Sequence, residues 1–279
     1  MAEMKERMTS WLDAARSWMQ RPRPVKTVAA PKTPFWAFVD LVREPALAVL
    51  FAFVATTAIA QPFYVPSGSM EPTLQIGDAL IATKYDYGYS RFSIPYMPGA
   101  PKSPNRLLGA LPKVGDVVVF RLPRDISQTY VKRVIGLPGD RVQMREGRLW
   151  INGKELPIHY VGTGPVEMEY GNSRTAWKFS ETLPNGRRHP IYKWTWAGPL
   201  DDTGVYVVPK DHIFVMGDNR DDSLDSRVAP EDGGVGFVPL ANLVGHAEIV
   251  VGSYDYLNAH AISSWLAQFR LSRFFSGVR

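Results

Sequence analysis

The sequence predicts a mainly β protein: an antiparallel β-sheet domain with an inserted β-rich subdomain, preceded by a single N-terminal transmembrane helix. Three observations lead to this fold class. One uncharged apolar segment runs from Pro45 to Val65, and about 20 helical residues cover the roughly 30 Å hydrocarbon core of a bilayer. Short runs rich in β-branched residues follow, bounded by Gly, Pro, Asn and Asp. The pair Asn152-Gly153 is typical of a two-residue β-hairpin turn.

Residues 1 to 44 form the arm before the apolar segment and carry eight Lys or Arg. The first basic residue after Val65 is Lys84. This asymmetry places the arm in the cytoplasm and the rest of the chain outside it. A helical stripe of apolar residues in the arm predicts a helix at the membrane surface or against a partner. Its members are Met4, Met8, Trp11, Leu12, Ala15, Trp18 and Met19.

The apolar segment has two other interpretations. A buried core helix rarely runs this long without a charge. A cleaved signal peptide would explain the A-x-A pattern of Ala58, Ile59 and Ala60, but its basic region would be unusually long. We therefore expect an uncleaved anchor at residues 45 to 65.

The exported domain is expected at residues 66 to 258, where strand-like runs alternate with turns. The runs are Gly115 to Pro123, Thr129 to Leu137, Gly139 to Glu146, Arg148 to Ile151, Gly204 to Pro209, His212 to Asp218 and Leu243 to Tyr254. Tyr85 to Lys113 lacks clean alternation and is expected to be an extended loop. The insertion is expected at about residues 160 to 202.

Charge and composition exclude several classes of protein. Because the chain has no cysteine, it has no disulfide, zinc-thiolate site or thiol nucleophile. The net charge is +5, but residues 45 to 258 carry 21 basic and 22 acidic side chains. Without a basic face, no nucleic-acid partner is expected. Residues 259 to 279, with three Arg and no acid, are expected to be an amphipathic segment that rests on lipid or packs on the domain.

A serine-containing turn follows the anchor directly. Ser67, Gly68 and Ser69 lie in the run PSGSMEPTLQIGD, Pro66 to Asp78. Taken alone, such a run is more often an ordinary turn in which a serine caps a short helix.

Two further blocks change the interpretation of this turn. YVKRVIGLPGD lies at Tyr130 to Asp140 and GDNRDDSLDSR at Gly217 to Arg227. With PSGSMEPTL before them, the chain from the anchor to about Tyr254 resembles the bacterial type I signal peptidases, or leader peptidases. The resemblance implies a Ser/Lys dyad serine endopeptidase that removes N-terminal signal peptides from exported preproteins after small residues, through an acyl-enzyme. It implies no metal or organic cofactor. Together with the single apolar segment, it predicts a protein that crosses the bacterial inner membrane once, in contact with phospholipid and with the export machinery.

The resemblance also assigns residues. Ser69 matches the nucleophile and Lys132 the general base. Ser67 matches the side-chain oxyanion donor, and Ser223 matches the serine that orients the lysine. Asp225 and Arg227 match the residues that shape the site behind it. The chain departs from some relatives in having one membrane segment where they have two, and no cysteine pair in the insertion.

The chemistry of the dyad can be argued from the residues. A serine hydroxyl needs a base, and lysine serves as one only when it is neutral, which burial favours. Strand alternation places Lys132 on the face of Tyr130 and Val134, which leaves a solvated strand lysine open. Arg133 is excluded because a guanidinium does not deprotonate in proteins. None of the five histidines lies in a block that resembles a catalytic motif.

The block GDNRDDSLDSR has a plainer interpretation as an exposed turn. In that case Asp218 with Arg220, or Asp225 with Arg227, would be surface ion pairs.

Substrate selection can be outlined from the signal-peptide pattern. Small residues lie one and three positions before the cut, so two shallow apolar pockets are expected near Ser69. Met70, Pro72 and Ile76 are expected to line them or to contact the membrane, although such residues more often belong to the core. The substrate is expected to add as a β-strand.

Two other functions would fit part of this sequence. The Ser/Lys self-cleaving repressors are cytoplasmic and bind DNA, which the anchor and the neutral middle of the chain contradict. A membrane-tethered, non-catalytic exported β-domain that acts as a binding module remains the alternative, and substitution of Lys132 separates it from the enzyme.

Overall fold

The computed structural model describes residues 33–94, 106–167, 173–257 and 266–278. The chain divides into two compact units, residues 1–48 and 49–279. The helical stripe expected between Met4 and Met19 lies outside the described residues. So do the middle of the expected loop (95–105), part of the insertion (168–172) and the first residues of the C-terminal segment (259–265).

Helix α1 spans Pro34–Ala58 and contains Pro45. This helix differs at both ends from the expected membrane segment, Pro45 to Val65. The helix begins earlier, in a stretch that includes charged residues, and strand β1, Ala60–Tyr64, takes the end of the apolar run. The physical reason is that an uncharged apolar run fits a helix or a buried strand equally well. Residues 60–64 form a strand because they pair with residues 79–83. In the part of the chain that the structure describes, no helix is both long and apolar enough to cross a membrane.

An eight-stranded antiparallel sheet forms the body of the second unit. Its strands are β1, β2 (Asp78–Thr83), β3 (Val117–Leu122), β4 (Asp125–Gly136), β12 (His212–Met216), β13 (Val238–Pro239), β14 (Leu243–Ser253) and β15 (Ser276–Gly277). They are ordered β1-β2-β14-β3-β4-β12-β13, with β15 paired to β14. The mainly β, antiparallel class predicted from the sequence is thereby confirmed.

Two smaller sheets complete this unit. One has the order β11-β5-β6-β7, built from β5 (Arg141–Arg145), β6 (Arg148–Ile151), β7 (Lys154–Glu155) and β11 (Tyr206–Val207). The other has the order β10-β9-β8, built from β8 (Ile158–Glu167), β9 (Ser173–Thr182) and β10 (Arg188–Lys193). Ile151 pairs with Lys154 across Asn152 and Gly153, whose φ angles are 52° and 78°. The predicted hairpin turn is confirmed, because such a turn needs positive φ at both central residues.

Apolar side chains cover both faces of the main sheet. Val117 and Val119 of β3 belong to one buried cluster, and Val118 and Phe120 belong to another. A strand buried on both faces reads as a continuous apolar run, which is the sequence pattern of β3. Strand β4, which carries Lys132, pairs with β3 over most of its length. The backbone of Lys132 is therefore held beside a strand that is buried on both faces.

The described end of the chain, residues 266–278, packs on the main sheet. Strand β15 pairs with β14, and Val278 joins the buried cluster that holds Met70 and Leu74. Of the two options for the C-terminal segment, this part takes the second and lies on the domain.

Candidate active site

The turn that carries Ser69 connects β1 to β2. Gly68–Met70 form a short 3-10 turn, and the Glu71 N–H donates to the Gly68 carbonyl at 3.0 Å. Met70 is fully buried in the core cluster below the turn. This anchoring leaves Ser69 partly exposed above it. The turn thus presents one serine hydroxyl at the surface of the domain.

Lys132 approaches that hydroxyl from strand β4. Its Nζ donates to Ser69 Oγ at 2.6 Å, although 63 residues separate them in the sequence. The lysine is only 3% exposed. Burial lowers the pKa of Lys132 to about 8, against the opposing effect of Asp225, Asp218 and Asp222. The alternative of a solvated strand lysine is wrong, because the side chain is buried and aimed at a serine.

Ser67 lies beside the pair. Its Oγ is 3.4 Å from Ser69 Oγ, and both serines border the same groove. Ser67 is exposed and has an extended backbone, with φ −131° and ψ 154°. Its hydroxyl is therefore free to turn toward a bound peptide.

The loop that follows β12 supports the turn from behind. The Asn219 N–H donates to the Ser69 carbonyl at 3.1 Å, and Asn219 Nδ2 donates to the Gly68 carbonyl at 3.2 Å. The sequence alone does not identify Asn219 as part of the site. Its only sequence signal is its place inside the block GDNRDDSLDSR, because an asparagine beside glycine and aspartate otherwise resembles an exposed turn.

The ion pairs in this block are buried, which contradicts the exposed-turn interpretation. Asp225 pairs with Arg227 at 2.8 Å, and both side chains are at most 1% exposed. Asp218 pairs with Arg133 of β4 at 2.6 Å, rather than with Arg220. Arg220 pairs instead with buried Glu181 of β9. The pair Arg133–Asp218 joins the strand of Lys132 to the loop behind Ser69.

Ser223 lies close to the site but is not bonded to the lysine. Its Oγ is buried and has no hydrogen-bond partner among the residues that the structure describes. A Cβ at Gly217 would lie 2.3 Å from Ser223 Oγ and 2.4 Å from the Ser69 carbonyl oxygen. Glycine at 217 is thus what allows the Ser223 and Ser69 segments to come this close.

An open groove of about 860 Å³ lies in front of the two serines and the lysine. Its apolar walls are Phe63, Ile76, Leu80, Val119, Val131 and Leu224, and Asp222 adds a carboxylate near Lys132. Of the three residues expected to line substrate pockets or to contact the membrane, Ile76 borders this groove. Met70 is fully buried in the core, and neither Met70 nor Pro72 lines the groove.

The described histidines, and the one group of described residues that could hold a metal ion, lie outside the groove. His189 is buried beside Glu181, and burial lowers its pKa to about 4, so it is neutral at pH 7. Asp86, His246 and Glu248 place three ligand atoms within 4.8 Å of one another and could hold a metal ion, but none of the three borders the groove. His260 lies outside the described residues.

A family model described as signal peptidase, peptidase S26, matches residues 38–252. This range contains every candidate site residue named above.

Curated relatives give the same answer. Signal peptidase I of Rickettsia typhi is 36% identical over 82% of this chain and 90% of its own length. The protein of that name in Rickettsia canadensis is 40% identical over 74% of this chain and 76% of its own length. A crystal structure of a signal peptidase I from Enterococcus faecalis is 27% identical, covers 49% of this chain and 97% of its own, and has a TM-score of 0.28. The family match and the Rickettsia relatives establish that the chain belongs to the signal peptidase family, peptidase S26, and is a serine endopeptidase.

Proposed function

We propose that this chain removes N-terminal signal peptides from exported preproteins, with Ser69 as nucleophile and Lys132 as general base. The observation that carries the proposal is the 2.6 Å contact between Lys132 Nζ and Ser69 Oγ at the edge of an open groove. The reaction needs a neutral amine, and the lowered pKa of about 8 makes this form accessible near neutral pH.

The reaction begins when neutral Lys132 takes the proton of Ser69 Oγ, which attacks the carbonyl carbon of the scissile bond. The Ser69 N–H and the Ser67 hydroxyl hold the negative charge that develops on the carbonyl oxygen. Lys132 then returns the proton to the leaving amine, and the bond to the mature protein breaks. Lys132 next takes a proton from water, whose oxygen attacks the acyl carbon. The ester bond to Ser69 Oγ then breaks, the lysine returns the proton to Ser69 Oγ, and the signal peptide leaves.

Ser223 orients the lysine in this proposal. Its support is a buried hydroxyl that has no hydrogen-bond partner among the described residues and that lies close to the Ser69 backbone. Asp225 fixes the segment, because its Oδ2 accepts from the Gly217 N–H at 3.0 Å while its carboxylate is paired with Arg227. Because buried polar groups usually have a hydrogen-bond partner, the Ser223 hydroxyl is expected to pair with the lysine amine when the lysine moves toward it.

The groove determines which substrates fit. A peptide that lies along it as an added strand meets apolar walls from β1 on one side and from β4 on the other. Small side chains next to the cleaved bond let the backbone approach Ser69 closely. We infer selection for Ala-like residues one and three positions before the cut.

Membrane attachment is the second part of the proposal. Large apolar side chains of α1 are exposed, among them Leu41, Val49, Leu50 and Phe51, each at least 57%. Exposed apolar surface of this extent is typical of lipid contact. We infer a protein of the bacterial inner membrane, with residues 1 to 44 cytoplasmic and the groove on the outer side. Protease added to intact spheroplasts should digest the chain after Val65, whereas protection until lysis would contradict this orientation.

The test of the enzymatic proposal is incubation of the purified protein with a preprotein, followed by N-terminal sequencing of the product. We expect one new N-terminus, preceded by small residues at the two selected positions. Lys154→Ala, on an exposed strand, is the matched control for Lys132→Ala. Binding of the preprotein without cleavage by the wild type would favour the non-catalytic binding module.

A further inference from the structure

The chain continues beyond the family match, which ends at residue 252. We call the described residues 266–278 the tail, and residues 71–77, between Met70 and β2, the nucleophile loop. The tail reaches the nucleophile loop through two arginines, Arg270 and Arg273.

Arg273 holds the loop at two points. Its Nε donates to Asp78 Oδ1 at 2.9 Å, and its Nη2 forms an ion pair with Asp78 Oδ2. The same Nη2 donates to the Thr73 carbonyl at 3.0 Å. The Asp78 side chain is fully buried, and its Oδ2 also accepts from the Gln75 N–H at 2.9 Å. One guanidinium therefore connects Thr73, in the middle of the loop, to Asp78, the first residue of β2.

Thr73 leads from the tail to the active site. Its Oγ1 donates to Asp218 Oδ2 and accepts from Arg133 Nη2 at 3.3 Å. Asp218 precedes Asn219, whose N–H donates to the Ser69 carbonyl. Thr73 is thus bound on one side by the tail and on the other by the loop that supports Ser69.

Arg270 acts on a different part of the loop. Its Nη1 donates to the carbonyl of Ile76 at 2.7 Å, and Ile76 lines the groove. Gly77, with φ +94°, packs so closely that a Cβ there would lie 1.9 Å from the Tyr254 carbonyl oxygen. The groove wall at Ile76 is therefore fixed by contacts from residues that lie beyond the family match.

We propose that the tail positions the active site, with Arg273 as a positioning residue for Ser69 and Arg270 as a positioning residue for the groove wall at Ile76. This inference rests on the proposed function, because it names what keeps that site in register. Arginine suits the task, since its planar fork can bind a carboxylate and a carbonyl at once, whereas a lysine ammonium acts as a point charge.

The test uses the full chain with four variants: Arg273→Lys, Arg273→Gln combined with Asp78→Asn, Arg270→Gln, and the control Arg148→Gln. Arg148 is matched because it also pairs with a carboxylate, Glu155 at 3.1 Å, but on an exposed strand. Displacing reacting groups by about 1 Å costs on the order of 10²-fold in rate. We expect both Arg273 variants to lose about 10-fold to 100-fold in kcat with KM changed less than about 2-fold.

The other variants separate positioning from general weakening of the fold. Arg270→Gln should mainly raise KM, because Ile76 borders the groove in which the substrate is proposed to bind, and Arg148→Gln should match the wild type. The pH at which kcat/KM rises should not change in the Arg273 variants, since the general base, Lys132, is unchanged. Neither Arg273 variant leaves Asp78 as an unpaired buried charge, so folding is preserved, and a thermal unfolding scan checks it.

Wild-type kcat in folded Arg273→Lys would overturn the inference, and so would a loss confined to KM. An Arg148→Gln loss as large as that of Arg273→Lys would also overturn it. A wild type that cuts no preprotein in the same assay would instead refute the proposed function.

Discussion

Two buried lysines in different regions of the molecule show what burial alone does and does not provide. Lys132 is 3% exposed and Lys84 is 0% exposed, and burial lowers the pKa of each to about 8. Lys132 Nζ faces Ser69 Oγ at the edge of an open groove. Lys84 Nζ faces the carbonyls of Thr56, in the last turn of α1, and of Ser93.

The two lysines have similar pKa values but different hydrogen-bond partners. Two carbonyls can only accept hydrogen bonds, so Lys84 acts as a donor and caps the carboxyl end of a helix, where a cation is favourable. A serine hydroxyl can give up a proton, and a substrate can reach it. A lowered lysine pKa therefore indicates a base only where an acidic proton and a groove accompany it.

Replacing each lysine separately is the strongest test of this comparison. Lys132→Ala and Ser69→Ala should each lower kcat by about 10³-fold or more, and the double variant should be scarcely worse, because the two groups act as one unit. Lys84→Met should keep kcat within about 2-fold of the wild type if it folds. The measurement is single-turnover cleavage of a preprotein. Substantial cleavage by Lys132→Ala would remove the distinction between the two lysines.

Ser67 sharpens the comparison on the substrate side of Lys132. Loss of one oxyanion donor costs about 10² to 10³-fold in kcat, so Ser67→Ala should be slow but measurable. Ser67→Thr keeps a hydroxyl and should be milder. Steady-state kinetics on both variants tests the role, and unchanged kcat in Ser67→Ala would exclude it.

The pH profile separates the two lysines without removing either. Because the base must be neutral, kcat/KM should rise about tenfold per pH unit below the Lys132 pKa of about 8 and level off above it. Asp222 raises that pKa, so Asp222→Asn should move this rise to lower pH. Lys84→Met should leave it in place. A rise that levels off near 6.5 would indicate a histidine, and a flat profile from pH 5 to 9 would exclude lysine.

The smallest expected effect is on the free energy of unfolding, whose pH dependence should change when Lys84 is replaced. Its pKa is lower in the folded than in the unfolded chain, so from pH 8 upward the unfolded state binds more protons and the wild type gains stability. Lys84→Met lacks this gain. The difference in the free energy of unfolding between wild type and variant should therefore shift in favour of the wild type between pH 8 and about 9.5. Urea unfolding at several pH values measures it, and a constant difference would mean that Lys84 is not desolvated.

The sequence contained enough to predict the pairing of Ser69 with Lys132, since both lie in blocks that resemble a known family. Strand runs such as the one around β3 were also readable, because β-branched residues and turn residues bound them. Strand β1 was not, because its apolar residues continue the helix without a break. Periodicity cannot separate these two structures in an uncharged run.

Long-range partners were the other limit. The partner of Asp218 is Arg133, which is 85 residues away, whereas the exposed-turn interpretation pairs Asp218 with the nearby Arg220. Sequence proximity favoured the wrong arginine because strand pairing sets these contacts and local spacing does not. For Arg273 and Thr73, the sequence offers no pattern that joins the end of the chain to the nucleophile loop.

The short passage from α1 to β1 sets a physical reach for the enzyme. Only Ile59 lies between the last helical residue and the strand that leads to the serine turn. An extended chain spans at most about 3.6 Å per residue, so Ser69 lies no more than about 40 Å from Ala58. In the membrane attachment proposed above, α1 lies in lipid and the chain after it acts as a tether of limited length. A peptide bond held farther from the bilayer than this tether allows would escape cleavage, even if its side chains fitted the groove.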